Sequence, residues 1–322
     1  MRVLVTGSAG YVGAALTQQL LEQGHSVRGL DNLSKGGEAM LSFWSHPQFE
    51  FARGDVRDRA TSARATQNIE AVVHLAAIVG DPACARHPEL ARAVNLEGSF
   101  VLLEQSAKAG AARFVFASTC SNYGKMADPD AYVDETSPLN PLSLYAETKV
   151  AVERALLEGD AGNDLCVTPL RFATVFGISP RLRFDLTVNE FTLELLTKKR
   201  LVVFGEQFWR PYAHVRDVVN AIMLVLNAPL EKVNRQVFNV GSTAENYRKR
   251  QIVELIHPYA PDAVIEYVHR AEDPRDYRVS FERIKQTLGF APTRTVSDGI
   301  AEVARLVQAG IITDFDNPHY RN

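Results

Sequence analysis

Short, nearly unbroken apolar runs alternate with longer stretches whose apolar positions recur at helical spacing, and this rhythm holds through the first half of the chain. The runs Arg2 to Thr6, Ser26 to Asp31, Phe49 to Arg53, Ala71 to Leu75, Arg113 to Ala117, Leu165 to Arg171 and Gln236 to Val240 predict strands. The early ones are continuous in Val, Leu and Phe, as strands covered on both faces are. Val12 to Gln23, Glu89 to Ala109 and Ser143 to Glu158 predict helices. The alternation predicts an α/β protein with a doubly wound parallel sheet of about seven strands.

The rhythm breaks after about Phe176. Arg181 to Glu206 predicts one helix with polar flanks, and His214 to Asn227 an apolar helix that returns to the sheet. From Ala244 onward, short helices and turns at Pro258, Pro261, Pro274 and Pro292 are expected. Asp128 to Pro141, rich in Asp and Pro, reads as a loop leading into the Ser143 helix. The expected division is a sheet domain over residues 1–176 plus about 212–243, and a smaller mixed α/β lobe over 177–211 plus 244–322.

Composition narrows the function only by exclusion. Hydrophobic and charged fractions of 46% and 23% are those of a globular protein. A net charge of -3 offers no attraction to nucleic acid or an anionic membrane. No apolar run is long enough to span a bilayer, and the strand at Arg2 leaves no room for a signal peptide. Cys84, Cys120 and Cys166 form no CxxC pair, which argues against a disulfide framework or a zinc site and suits a reducing cytoplasm.

Two distant motifs supply candidate chemistry. The first strand runs into Thr6-Gly7-Ser8-Ala9-Gly10-Tyr11-Val12-Gly13. Gly7 permits a tight turn, Gly10 lets a pyrophosphate approach the backbone, and Gly13 lets the helix pack closely on the sheet. The helix N-terminus then offers free N–H groups and a positive dipole end. The spacing is GxxGxxG, a variant of the usual GxGxxG. Asp31 ends the second strand, where a carboxylate accepts hydrogen bonds from both adenosine ribose hydroxyls and repels a 2′-phosphate, favouring NAD over NADP. Asn32 makes a turn-forming pair with it, while Lys35 and Arg28 lie near enough in sequence to keep a phosphate reader open. Asp55-Val56, ending the third strand, either meets the adenine edge or forms a strand-end turn.

The second motif is Tyr145-Ala146-Glu147-Thr148-Lys149, which puts a phenol and an ammonium on one helical face. A free tyrosine has a pKa of about 10. A nearby ammonium, aided by an oxidised nicotinamide, is expected to lower it. Phe114-Val115-Phe116-Ala117 leads into Ser118-Thr119-Cys120-Ser121-Asn122-Tyr123-Gly124, which places hydroxyls at the carboxyl edge of the sheet. Cys120 is either an acid/base or a small core residue.

TGxxGxxG, Asp31, His74-Leu75-Ala76-Ala77, Asn95, the Ser-Thr-x-x-x-Tyr-Gly run and YxxxK resemble the extended short-chain dehydrogenase/reductases, and more narrowly their nucleotide-sugar epimerase/dehydratase/reductase branch. The resemblance extends over nearly the whole chain. Trp209-Arg210-Pro211-Tyr212-Ala213-His214-Val215-Arg216-Asp217-Val218 and Arg270-Ala271-Glu272-Asp273-Pro274 look like two later segments of that branch. It implies a Rossmann domain that binds NAD through Gly7, Gly10, Tyr11, Val12, Gly13, Asp31, Asn32, Asp55, Val56, Leu75, Ala76, Ala77, Tyr145 and Lys149. Tyr145 would be the acid/base, Lys149 its electrostatic partner, and Thr119 the hydrogen-bond partner of the sugar oxygen. Asn95 would fix the helix that carries the site. Cys120, Ser121, Thr174, Asn189, Arg210 and Arg270 would face a nucleotide diphosphate sugar, with both arginines gripping its phosphates. The helices at Glu89 to Ala109 and Ser143 to Glu158 would pair in a homodimer.

Three departures refine the activity. Sugar 4,6-dehydratases follow their threonine with Asp-Glu, where Cys120-Ser121 stand here, which disfavours that elimination. Nucleotide-sugar decarboxylases keep glutamate at the place of Ser121. Many 4-epimerases have asparagine at the place of Thr174. The expected function is an NAD-dependent nucleotide-sugar epimerase passing through a keto-sugar. A ketoreductase of a nucleotide-linked keto-deoxysugar shares every named residue. A cofactor-sensing protein without catalysis is the reading from another class, and the intact Thr119, Tyr145 and Lys149 oppose it.

Overall fold

A computed structural model describes residues 1–126, 128, 131–159, 164–269 and 275–322. Its strands are β1 (Arg2–Thr6), β2 (Ser26–Asp31), β3 (Phe49–Arg53), β4 (Ala71–His74), β5 (Arg113–Thr119), β6 (Cys166–Phe172), β7 (Thr174–Phe176), β8 (Arg200–Phe204), β9 (Trp209–His214), β10 (Phe238–Val240), β11 (Asn246–Arg248) and β12 (Val264–Val268). Its first helices are α1 (Tyr11–Glu22), α2 (Arg59–Ala65), α3 (Asp81–Arg86), α4 (Pro88–Arg92), α5 (Gly98–Lys108) and α6 (Leu144–Glu158). There follow α7 (Thr187–Lys198), α8 (Val215–Asn227), α9 (Leu230–Val233), α10 (Lys249–Ile256), α11 (Glu282–Leu288) and α12 (Val296–Gln308).

Seven strands form one all-parallel sheet in the order β10-β6-β5-β4-β1-β2-β3. Successive side chains enter opposite layers, as the strand pleat requires. Val3 and Val5 pack with Leu16 and Leu20 of α1 and Val218 and Ile222 of α8. Leu4 points the other way, into a layer with Phe114, Phe116, Leu102 of α5, and Val152 and Leu156 of α6. Burial on both faces explains the unbroken apolar runs. The order reverses at β1 and β4, so the turns after these neighbouring strands open the ligand crevice of a doubly wound sheet.

The smaller lobe combines a β11-β9-β7 sheet with a parallel β8–β12 pair. Its core joins Phe176, Val188, Leu195, Leu201, Val203, Tyr212, Ile252, Ile256 and Ile300. Here two expectations are corrected. Arg181 to Glu206 is not one helix: α7 ends at Lys198, Lys199 takes a left-handed φ of 52°, and β8 begins. Leu201 and Val203 are buried on alternate positions of β8, a two-residue period that a helical pattern hides in so short a run. The expected helix Glu89 to Ala109 runs on unbroken, with α4 and α5 joined through a π-helical turn at Ala93–Glu97 whose flanking residues keep helical backbone angles. Also, β12 and the 13-residue α12 lie where only short helices and turns were expected.

Candidate active site

The β1–α1 turn has the geometry of an anion seat. Gly7 adopts a left-handed φ of 73°, and a side chain there would meet Ala76 N at 3.0 Å. At Gly13 a Cβ would lie 1.9 Å from the Gly7 carbonyl oxygen, so only glycine allows α1 to start this close to the turn. Gly10 is the N-cap and supplies no side-chain cap, which leaves the first N–H groups of α1 facing outward. Asp31 locks the turn from β2: its carboxylate accepts from Ala9 N at 3.0 Å and Leu33 N at 2.8 Å. Burial raises its pKa above the ordinary carboxylate value. Asn32 accepts from Ser34 N and donates to Asp55. Hydrogen bonds from the Arg57 side chain hold the Asp55 carboxyl down to about 2. The Val56 side chain belongs to the core.

Beneath this turn lies a hydroxyl–imidazole chain that the sequence reading did not foresee. Thr6 Oγ1 meets His74 Nδ1 at 2.7 Å, and His74 Nε2 meets Ser99 Oγ at 2.9 Å. Burial holds His74 down to about 3, so the ring is neutral. Thr6 Oγ1 also accepts from Ala76 N, which sets the Leu75–Ala77 loop against Gly7. Asn95 sits in the π-helical turn and clamps the loop's next residue, accepting from Ile78 N at 2.8 Å and donating to Ile78 O at 2.9 Å. Its side chain thus fixes the loop after β4, a correction to the role expected for it on the helix of Tyr145.

Tyr145 and Lys149 occupy the first turns of α6, which Ser143 caps by accepting from Ala146 N. Lys149 Nζ donates to Ala117 O at 2.8 Å and lies 5.9 Å from the Tyr145 ring centroid. This bond ties α6 to β5 two residues before Thr119. Burial brings Lys149 down to about 8, so its ammonium is largely protonated at neutral pH. Tyr145 departs from the expected lowering: burial lifts its phenol, and the Cys84 and Asp81 charges push the same way against Arg183. Desolvation of the phenolate is the largest influence on this group.

Thr119 is buried, and its Oγ1 accepts from Ser121 N at 3.1 Å while keeping its own proton to donate. Ser121 Oγ lies 3.4 Å from the Tyr277 hydroxyl, and the Arg210 guanidinium sits 5.6 Å from the Tyr277 ring centroid. Ser121, Tyr277 and Arg210 are thus neighbours, and Tyr277 also acts electrostatically on Tyr145. Thr174 lies half-buried on β7 opposite Tyr212.

Two side chains expected at the substrate are turned away from it. Cys120 is 1% exposed, donates its thiol to Arg171 O, and packs in the main core; burial pushes its pKa up. Asn189 accepts from Gly177 N and donates to Gly177 O and Arg183 O, so its amide shapes the loop after β7. Arg28 is no phosphate reader, because its guanidinium binds the carbonyls of Arg64, Ala65 and Gln67 and the Glu50 carboxylate. Arg270 lies outside the described residues.

Comparison with known proteins agrees with this geometry. Residues 3–241 match the family model described as NAD dependent epimerase/dehydratase family. The chain belongs to the NAD-dependent epimerase/dehydratase family. A UDP-glucose 4-epimerase of Corynebacterium glutamicum is 30% identical, covering 94% of each chain. The crystal structure of Thermotoga maritima UDP-glucose 4-epimerase with UDP-glucose superposes with a TM-score of 0.86 at 28% identity, covering 97% of this chain and all of that one. The Thermus thermophilus UDP-glucose 4-epimerase complexed with NAD gives 0.83 at 27% identity, with coverage of 97% and 100%.

For a member of this epimerase/dehydratase family, the site shows which groups a sequence reading misses. Ser99 and Tyr277 act through His74 and Ser121, distant in the chain, and isolated Ser and Tyr residues carry no spacing signal. Asp81 is another. It accepts from Ser143 Oγ at 2.7 Å and pairs with Arg275 at 2.9 Å, joining the α6 cap to the smaller lobe beside Tyr145.

Proposed function

We propose that this chain is an NAD-dependent nucleotide-sugar epimerase that works through a transient keto-sugar, with Tyr145 as acid/base. The observation that carries the reading is the fastening of α6 to the end of β5. The bond from Lys149 to Ala117 O, two residues before Thr119, supports a site in which the phenol, the ammonium and the Thr119 hydroxyl meet at the carboxyl edge of the sheet. The residues fit NAD. Gly7, Gly10 and Gly13 leave the α1 N-terminus bare for a diphosphate, and the Asp31 carboxylate stands where ribose hydroxyls bind. NAD supplies the acceptor and donor of hydride when bound. Tyr145 takes the proton from a sugar hydroxyl and returns it, Lys149 stabilises the phenolate, and Thr119 holds the sugar oxygen. The buried Cys120 and the Ser121 hydroxyl offer no carboxyl acid/base pair for 4,6-elimination, which supports epimerisation over dehydration.

In this reading residues 1–176 and about 212–243 hold the cofactor, and 177–211 with 244–322 hold the nucleotide sugar. Arg210 and Arg270 grip the substrate diphosphate. Leu90 and Phe100, 39% and 38% exposed on α4 and α5, support pairing of two copies along these helices and α6. Sedimentation showing a monomer at micromolar concentration rejects the homodimer. The three free, buried cysteines suit a reducing cytoplasm.

The test is to extract and identify the ligands of the purified protein by mass spectrometry, then to supply UDP-glucose without added cofactor. A retained NAD and a C4-inverted product support the epimerase. Oxidation of one reduced cofactor per keto-sugar turned over makes the protein the ketoreductase instead. Binding of NADH without turnover of a broad nucleotide-sugar panel makes it a cofactor sensor. Tighter binding of NADPH than NADH refutes the role given to Asp31.

A further inference from the structure

Four cations from three separate loops converge at the mouth of the groove beside Asp31. Lys35 follows β2, Arg86 ends α3, and Arg181 and Arg183 lie between β7 and α7. They are close enough to feel one another: burial, then Arg181, Arg183 and Arg86, hold the Lys35 ammonium below its ordinary pKa. Arg183 is matched by Asp185, which accepts from its Nε and Nη2 at 2.9 Å each. Among the described residues Arg181 has no such carboxylate. It is 9% exposed, its Nη2 donates to neutral oxygens of Arg321 and Asn322, and its Nε has no partner among those residues. Asp31 and Asp185 are the acids whose charges reach it, fewer than the cations gathered there.

The loop bearing Arg181 crosses in front of α1. Tyr11, the first residue of α1, donates its hydroxyl to Gly177 O, and its own carbonyl accepts from Ser179 Oγ. Arg183 stands 6.0 Å from the Tyr11 ring centroid. Residues 320–322 then tie the parts together. Phe184 N donates to Tyr320 O, Lys35 Nζ to Arg321 O, and Arg86 Nη2 to the backbone oxygen of Asn322. Asn322 N donates to Asp185. The segment therefore links the loops after β2, β4 and β7 across the crevice.

We propose that Arg181, flanked by Lys35 and Arg86, clasps the cofactor diphosphate from across the groove, and that residues 320–322 fasten this clasp shut. The inference rests on the NAD reading above. The α1 N-terminus supplies partial positive charge on one side, while a buried guanidinium with an unused N–H supplies full charge on the other. Cofactor exchange then requires residues 320–322 to lift. Slow exchange suits an enzyme that reuses its cofactor within each turnover.

The test measures binding of NADH, ADP-ribose, adenosine and UDP to the full chain, freed of bound nucleotide, and to Arg181→Met and the surface variant Lys35→Met. Arg181→Met should weaken NADH and ADP-ribose on the order of tenfold, the loss of a charge-assisted bond, and speed NADH release similarly. Adenosine and UDP should bind as before. Lys35→Met, which does not disturb the core, should weaken NADH a few-fold and flatten its salt dependence. Equal losses for adenosine and ADP-ribose would show that Arg181 only supports the fold. Weaker UDP with unchanged ADP-ribose would assign the charges to the substrate's diphosphate, and unchanged NADH in both variants also overturns the clasp. If the unaltered chain binds no NADH, the cofactor reading fails and the clasp with it.

Discussion

Arg171→Met removes one charge of a pair sealed between β6 and α6. Arg171 and Glu153 are 3% and 1% exposed. Arg171 Nε donates to the Glu153 carboxylate oxygens at 3.0 and 3.2 Å, and its Nη2 donates to Oε1. Its Nη1 donates to the Tyr123 hydroxyl at 2.8 Å, which in turn donates a hydrogen bond to Asn239 Oδ1. Without the guanidinium, the carboxylate keeps Ser118 Oγ at 2.7 Å and Asn122 Nδ2 at 3.3 Å, both neutral. An unpaired buried charge of this kind costs about 3–5 kcal/mol. That is a large share of a margin of about 5–15 kcal/mol. In Arg171→Met/Glu153→Met no charge is left behind, and the orphaned groups are hydroxyls and an amide, so the double variant should be more stable than the single one. Urea unfolding followed by circular dichroism measures both, with an unchanged m-value confirming that the same transition is compared. A single variant that loses under about 1 kcal/mol, or a double variant at least as unstable, would refute the claim that this pair is desolvated.

Tyr145→Phe should keep fold and NADH binding while turnover drops by about 10²–10⁴, with a smaller loss for Thr119→Val. Cys120→Ala should leave turnover nearly unchanged and cost a small amount of stability, since the thiol faces Arg171 O in the core; near-normal Tyr145→Phe with a dead Cys120→Ala would reverse the assignment. Lys149 titrates at about 8 when folded, below its ordinary 10.5, so the unfolded chain binds more protons between these values. Its contribution to stability therefore rises with pH across that window, and Lys149→Met should abolish that slope; parallel pH–stability curves would contradict it. Gly13→Ala forces a Cβ to 1.9 Å from Gly7 O, so NADH titration should show binding lost and melting should show a less stable sheet domain.

Much of the sheet was legible because its signals are local. β1, β2 and β3 fall on the expected residues, since a strand buried on both faces must be apolar throughout. The glycine turn was legible for a similar reason: left-handed φ at Gly7 and backbone contact at Gly13 admit one residue type. The smaller lobe was legible only in part. β8 and β12 are five residues each and gain their order from pairing with one another, which no window of sequence contains.

By itself the sequence determined the doubly wound sheet, the glycine turn with Asp31, and the juxtaposition of Tyr145 with Lys149, because helical and strand periods and glycine stereochemistry act over a few neighbouring residues. Only the tertiary structure decided which way side chains face and what they meet. It turned Cys120 and Asn189 inward, gave Asn95 to Ile78, and brought Lys35, Arg86 and Arg181 together with residues 320–322. Those outcomes depend on desolvation and on partners that the fold brings together, up to 286 residues apart in the chain, quantities that exist only after the chain has closed on itself.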